Sequence, residues 1–151
     1  MAKEWGHCTW YLFHTLVEKI NEEHFNTMKI EIISIIKRIC NNLPCPDCAQ
    51  HATQKLGSLN VKSINSKEDL KNVLLSFHNF VNRKTNKPEW NETQLNDKYS
   101  LAKTALVVQY FIQIWQKSNP NPRLMTHNFH KDRVIKEFMN WWNNHHSKFN
   151  Q

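Results

Sequence analysis

The chain has 151 residues, a net charge of +7 and nine further histidines. That length makes one domain with room for a real core, and the basic balance points to an anionic partner such as nucleic acid, a membrane surface or a phosphate-bearing cofactor. Only Gly6 and Gly57 are glycine, too few for tight β-hairpins, and no apolar run is long enough to span a bilayer, so an all-α, non-membrane fold is expected.

No block of lysines and arginines stands out, so neither nucleic acid nor a membrane is expected as partner. The N-terminus has no apolar signal-type segment, and the chain is expected not to be secreted. In such a setting the four cysteines argue for redox or metal chemistry over a disulfide framework.

A first helix is expected from about Glu4 to Glu23. Trp10, Phe13, Leu16, Val17 and Ile20 recur at three- and four-residue steps and form its apolar face. Trp10 and His14 lie one turn apart on that helix. They are either core residues or an aromatic platform for a planar ligand. A second helix is expected from about Asn26 to Asn42, with Met28, Ile32, Ile35, Ile36 and Ile39 as its buried stripe and Cys40 beside it.

Leu43-Pro44-Cys45-Pro46-Asp47-Cys48 carries a C-x-x-C at the start of a third helix, Pro46 to Leu56, with Gly57 as its stop. Unpaired N–H groups and the helix dipole favour thiolate there, so Cys45 is expected to be the more reactive sulfur. His51 completes C-x-x-C-x-x-H, three potential zinc ligands with no fourth of usual spacing. Redox dithiol and zinc knot therefore both stand at this point.

Ser66 and Asp69 form a capping box before a fourth helix that runs to about Asn86. Leu70, Val73, Leu74, Phe77 and Val81 make its core face. His78 and Asn82 put a polar pair beside it, and Arg83, Lys84 and Lys87 make the helix end basic. Such an end either meets solvent or receives phosphates.

Three motifs now stand in order: W-G-x-x-x-W-x-x-x-H from Trp5 to His14, P-C-x-x-C-x-x-H from Pro44 to His51, and H-N-x-V-N-R-K-x-x-K-P from His78 to Pro88. Together they resemble the Erv/ALR family of FAD-linked sulfhydryl oxidases, most closely the small members encoded by large DNA viruses. The resemblance runs from Trp5 to about Tyr99. It implies a four-helix bundle with a short fifth helix, FAD at the bundle mouth, and the flavin beside a Cys45–Cys48 disulfide. It implies cofactor contacts from Gly6, Trp10, His14 and His51, from His78, Asn79, Val81, Asn82, Lys84 and Lys87, and from Tyr99, where cellular members have a tryptophan.

The chain departs from the family pattern in three ways. His7 stands where an arginine is usual, the second structural disulfide has no counterpart, and there is no second C-x-x-C to act as a shuttle. The mechanism implied is attack of a substrate thiolate on Cys45 as the outer sulfur, with Cys48 nearer the flavin, and delivery of electrons to oxygen as hydrogen peroxide. A protein dithiol substrate of thioredoxin-like type, a homodimer, and a location in host cytoplasm or virion follow from the same resemblance. The competing function is a non-enzymatic helical adaptor with zinc at Cys45, Cys48 and His51.

Beyond Tyr99 the family pattern fades. Ala102 to Gln116 reads as a helix, Ser118 to Pro122 as a linker, and about Lys131 to His146 as a last helix with Val134, Ile135, Phe138, Met139, Trp141 and Trp142. The sulfhydryl oxidase domain is expected over 1–117, with 118–151 as a linker and helical extension. That last helix either caps the core or offers a partner surface. If the first two helices run antiparallel, Cys8 and Cys40 fall at the same end of the bundle. Free thiols, with Cys8 partly exposed, are preferred there to a bridge.

Overall fold

The computed structural model describes residues 4–117 and 125–151, with the side chains of 125–127 left aside. The described residues hold seven α-helices: α1 (Glu4–Lys19), α2 (Glu22–Cys40), α3 (Pro46–Gly57), α4 (Lys67–Lys84), α5 (Glu92–Ser100), α6 (Thr104–Gln116) and α7 (Met125–His145). The all-α class expected from the scarcity of glycine is what forms. The expected linker at Ser118 to Pro122 lies outside the described residues.

Helix α1 is the axis of the fold. Leu12, Phe13, Leu16 and Val17 are buried along it, and it packs against α2, α4, α5 and α6. Helix α2 carries α3 at one end and α7 along its side, and α7 bridges α2 to α6. Val134, Ile135, Phe138 and Trp141 of α7 are buried in the same core cluster as α1. That helix therefore caps the core with these residues, as one of its two readings had it.

Local chemistry sets most helix ends. Ser66 and Asp69 form the expected capping box of α4, and Asn91 with Gln94 forms a second at α5. Helix α4 closes on Asn86, the one described non-glycine residue with positive φ, at 57°. There Lys87 N–H donates to the Asn82 carbonyl at 2.8 Å, which satisfies a terminal carbonyl.

Several boundaries differ from the sequence expectation. Helix α1 stops at Lys19 instead of Glu23, because the backbone at Ile20 turns out to pair with Phe149. Asn150 N–H donates to Lys19 O and Asn21 N–H to Lys148 O, so the chain's last residues occupy the place of a continuing helix. Asn21 is extended there and N-caps α2, which therefore starts at Glu22 and not Asn26. Gly57 is the last residue of α3 and does not adopt positive φ; Ser58 is the cap. Helix α7 begins at Met125, nearly two turns before Lys131. Cys8 and Cys40 are both free thiols. Cys8 is fully buried and not partly exposed, because its position faces the α1 core stripe. Burial pushes both thiols up to about 12.

Candidate functional site

The first component is a disulfide at a helix N-terminus. Cys45 has extended backbone and is the N-cap of α3, with Pro46 in the first turn. Cys48 N–H donates to Cys45 Sγ at 3.2 Å, so one orphan helix donor already points at that sulfur. Cys45 and Cys48 are joined as a disulfide, with Cα atoms 5.2 Å apart. Cys45 is half-buried and Cys48 exposed, so exposure does not mark Cys45 as the outer sulfur. The reason is local: as cap, Cys45 folds back over the first turn.

The second component is a run of stacked rings carried by α1, α4 and α5. Trp10 lies face to face with His78 at 4.0 Å between centroids and 7° between planes. His78 Nδ1 and His14 Nε2 are 2.9 Å apart in a buried hydrogen bond, and His14 stacks on Tyr99 at 4.8 Å. Burial holds both imidazoles neutral. It lowers His14 to about 3, helped by His78 and Lys98, and His78 to about 4, helped by Lys98 and Lys87. One ring N–H therefore donates to the other ring's bare nitrogen, and no charge is buried between them.

Both components line one cavity of ≈ 650 Å³. Of the residues singled out from sequence, Cys45, Cys48, Gly6, Trp10, His51, His78, Val81, Asn82, Lys84, Lys87 and Tyr99 line it. His14 and Asn79 stand behind the wall. His14 buttresses His78. Asn79 donates to Trp90 O at 2.8 Å and accepts from Trp90 N–H at 2.7 Å, and so holds that loop over α4. A Cβ added at Gly6 would meet nothing within 4 Å, so the cavity does not demand glycine there for space.

Among the lining residues that sequence reasoning did not assign to the site are Thr9, Phe80, Trp90 and Lys98, with Trp5 and Phe77, which it named only as a motif position and a core residue. Lys98 is the most informative. Its ammonium sits 5.1, 5.0 and 5.4 Å from the ring centres of Tyr11, Trp90 and Tyr99, and it has no carboxylate partner among the described residues. A lysine next to Tyr99 was the available signal. The buried Asn82 amide likewise makes no hydrogen bond to the described residues, and it opens on the cavity.

The donor set fits one kind of ligand. Flat rings at the wall suit a planar ring system, the Asn82 amide suits its polar edge, and Lys84, Lys87 and Lys98 suit phosphate oxygens. The volume lies within the range of cofactor sites, about 300–1,000 Å³. In the disulfide state neither sulfur is a thiolate, so Cys45, Cys48 and His51 do not form a zinc set in this structure.

Fold and site together define a class of protein: an all-α bundle that holds a C-x-x-C disulfide against a ring-lined cavity. The chain belongs to the Erv1 / Alr family, which residues 7–100 match. It is similar to the FAD-linked sulfhydryl oxidase of African swine fever virus, 30% identical over 117 residues, which are 74% of this chain and 95% of that one. It is also similar to the FAD-linked sulfhydryl oxidase ERV1 of Oryza sativa, 29% identical over 86 residues, 57% of this chain and 44% of that one. A protein of Invertebrate iridescent virus 3 is 28% identical over 88 residues, 58% of this chain and 60% of that one. The chain thus spans under two thirds of the iridescent virus and rice relatives. No solved structure matches it. No helix of the described residues is long and apolar enough to cross a membrane.

Proposed function

We propose that this chain is an FAD-dependent thiol oxidase that forms disulfides in protein dithiols through Cys45 and Cys48. The observation that carries this is the shared cavity: the disulfide and the stacked Trp10, His78 and Tyr99 line the same space in a member of this family. Trp10, His78, Val81, Asn82 and Tyr99 would hold the ring system, and Lys84 and Lys87 the phosphates. Bound there, FAD would serve as the two-electron oxidant that restores the Cys45–Cys48 disulfide, with oxygen as the final acceptor and hydrogen peroxide as the product.

The chain's own residues account for the dithiol half of the reaction. A substrate thiolate attacks Cys45 Sγ, a new S–S bond forms and the Cys45–Cys48 bond breaks, with Cys48 leaving as thiolate. The substrate's second thiolate attacks its own sulfur in that mixed disulfide. It leaves oxidised, and Cys45 departs as a thiolate beside the Cys48 N–H. The substrate has lost two electrons and the cysteine pair has gained them. The N–H at Cys45 favours the second step, because it stabilises the leaving group. The neutral His14–His78 pair adds no buried charge to the cavity wall while this happens. A substrate of thioredoxin-like type, which presents two thiols at a surface, suits the accessible disulfide. A homodimer belongs to the same proposal and is checked by the solution mass.

The test is a pair of serine variants. Purified protein is expected to be yellow, with a flavin spectrum. Cys48→Ser should trap protein substrates on Cys45 as mixed disulfides, seen on a non-reducing gel. Trapping by Cys45→Ser alone would move the point of attack to Cys48, the more exposed sulfur. Colourless protein that takes up no FAD on titration would sink the proposal and return the zinc-bound adaptor, to be read by metal analysis.

A further inference from the structure

Helix α6 lies outside the span that matches the family, and none of the site residues named from sequence is on it. It nonetheless reaches the cavity wall through its last turn. Trp115 is 1% exposed, and its indole Nε1–H donates to Thr9 Oγ1 at 2.9 Å. The same hydroxyl donates to the Trp5 carbonyl. Thr9 has one proton to give, and it gives it to Trp5 while accepting from Trp115, so its rotamer is fixed from both sides. Trp5 and Thr9 both line the cavity, whereas Trp115 does not. Two outer contacts support the same junction: Lys117 Nζ lies 3.2 Å from Glu4 Oε2, and the Tyr110 ring stands edge-on to His7 at 6.5 Å.

The location matters because Trp5 to Thr9 open helix α1. The first N–H groups of a helix lack intrahelical partners, and that turn frays most readily. Here it also forms a wall of the cavity, with Trp5, Gly6, His7 and Thr9 facing the ligand space.

We propose that Trp115 is a positioning residue for the cofactor: through Thr9 it holds the first turn of α1 in the conformation that receives the ligand. The inference rests on the FAD reading above and goes beyond it. It places a determinant of cofactor affinity on a helix outside residues 7–100, the span that defines the family, acting through one hydrogen bond and touching no ligand. A buried neutral hydrogen bond of ordinary strength corresponds to a two- to ten-fold effect on affinity, roughly.

The experiment titrates apo protein with FAD and follows flavin fluorescence, beside the melting temperature of each apo protein. Trp115→Phe keeps the ring and removes the donor; Thr9→Val removes the acceptor; Thr9→Ser restores it. Trp115→Phe and Thr9→Val should each weaken FAD binding by about two- to ten-fold, and the double variant should be no weaker than the weaker single one, because both remove the same bond. Thr9→Ser should bind as the unaltered protein does. Phe138→Leu, a buried change separated from Trp115 by the Phe111 ring and making no hydrogen bond to Thr9, should lower the melting temperature without changing FAD affinity. Unaltered affinity in Trp115→Phe, additive losses in the double variant, or equal weakening by Phe138→Leu would each overturn the inference. Should Trp115→Phe fail to fold, loss in Thr9→Val with recovery in Thr9→Ser supports it, and no loss overturns it. If the unaltered protein binds no FAD, the functional reading fails and takes this inference with it. If it binds and Trp115→Phe binds equally, only the inference fails.

Discussion

Helices α1 to α5 and helices α6 to α7 bury polar groups in different ways. In the first set Lys19 clamps the Ser100 and Gln151 carbonyls, but His14, His78 and Asn82 are buried around a cavity, where they meet each other or the open space. In the second, the buried Lys131 and Thr104 each bond a backbone carbonyl, Lys117 O and Asn150 O, and serve as clamps. The remainder of that region's core is apolar: Val107, Phe111, Trp115, Val134, Ile135 and Phe138. A polar group left open on a cavity costs stability unless a ligand completes it, whereas a clamped one does not. On the function proposed above, the first set carries the chemistry and the second holds it in shape.

The largest expected effect tests where the chemistry lies. Cys45→Ser or Cys48→Ser should reduce oxidation of dithiothreitol to background while FAD stays bound, because neither sulfur is a major part of the ring platform. The visible spectrum and oxygen uptake read the two properties separately. Full turnover in either variant would mean that thiols reach the cofactor without the relay.

The next effect tests where the stability lies. Phe138 is 1% exposed and packs on Phe111 and Trp141, at 5.3 and 6.0 Å between ring centres. Phe138→Ala should lower the unfolding free energy by about 3–5 kcal/mol, from lost burial and the cavity left behind. Urea unfolding measures it. The fraction that stays folded should bind FAD as before. A loss of affinity without a loss of stability would contradict this division of labour.

The same division explains what sequence could show. The core faces of α1, α2 and α4 were legible because helical periodicity is local, and so was the Ser66–Asp69 box. The C-x-x-C was legible from its spacing, whereas Trp10, His78 and Asn82 were assigned to the site through the resemblance, because residue type and helical spacing fit a core face or an exposed helix end equally well. The break at Ile20 was not, because its cause is Phe149, which comes near only after α7 has folded back. Trp90 and Lys98 were missed for a similar reason. Asn79 fixes the Trp90 loop, and the Lys98 ammonium gains meaning only once three rings from α1, α5 and the preceding loop converge on it. Helix α5 came from the resemblance, since nine residues with weak amphipathicity give little periodic signal.

A smaller effect separates the regions by pH. His14 and His78 titrate at about 3 and about 4 in the folded chain, against 6.5 when unfolded, because burial disfavours their charged forms. Below pH 6.5 the unfolded chain binds protons that the folded chain refuses, so stability falls as pH drops. The loss should run from about pH 6.5 down to about pH 3, where His14 takes up its proton in the folded chain, and stability should be fully present above that window. Lys98 and Lys87 face the pair and push the same way. Unfolding free energy measured at intervals of pH should show this limb, and His14→Leu/His78→Leu should flatten it. An equally steep limb in the double variant would place the proton-sensitive groups elsewhere.

The smallest effect lies on the seam between α2 and α7. Arg38 Nε donates to Glu137 Oε2 at 2.8 Å, and a second guanidinium nitrogen donates to Oε1 at 2.9 Å. The hydrogen bond from Arg38 holds the Glu137 carboxyl below its ordinary range. Forked geometry makes this the best placed ion pair on the seam, but the side chains are 40% and 45% exposed, so water and salt screen it. A double-mutant cycle with Arg38→Met and Glu137→Gln should give a coupling of about 0.5–1 kcal/mol at low salt. The coupling should shrink in molar salt, and should vanish as pH falls through the depressed carboxyl range, where Glu137 takes up its proton. Arg133 lies 3.8 Å from the same carboxylate and offers a substitute partner, which keeps the coupling small when Arg38 is removed. A coupling of several kcal/mol that resists salt would mean that α7 is held to α2 by charge. The buried Val134, Ile135 and Phe138 make the opposite expectation, that apolar packing does the holding.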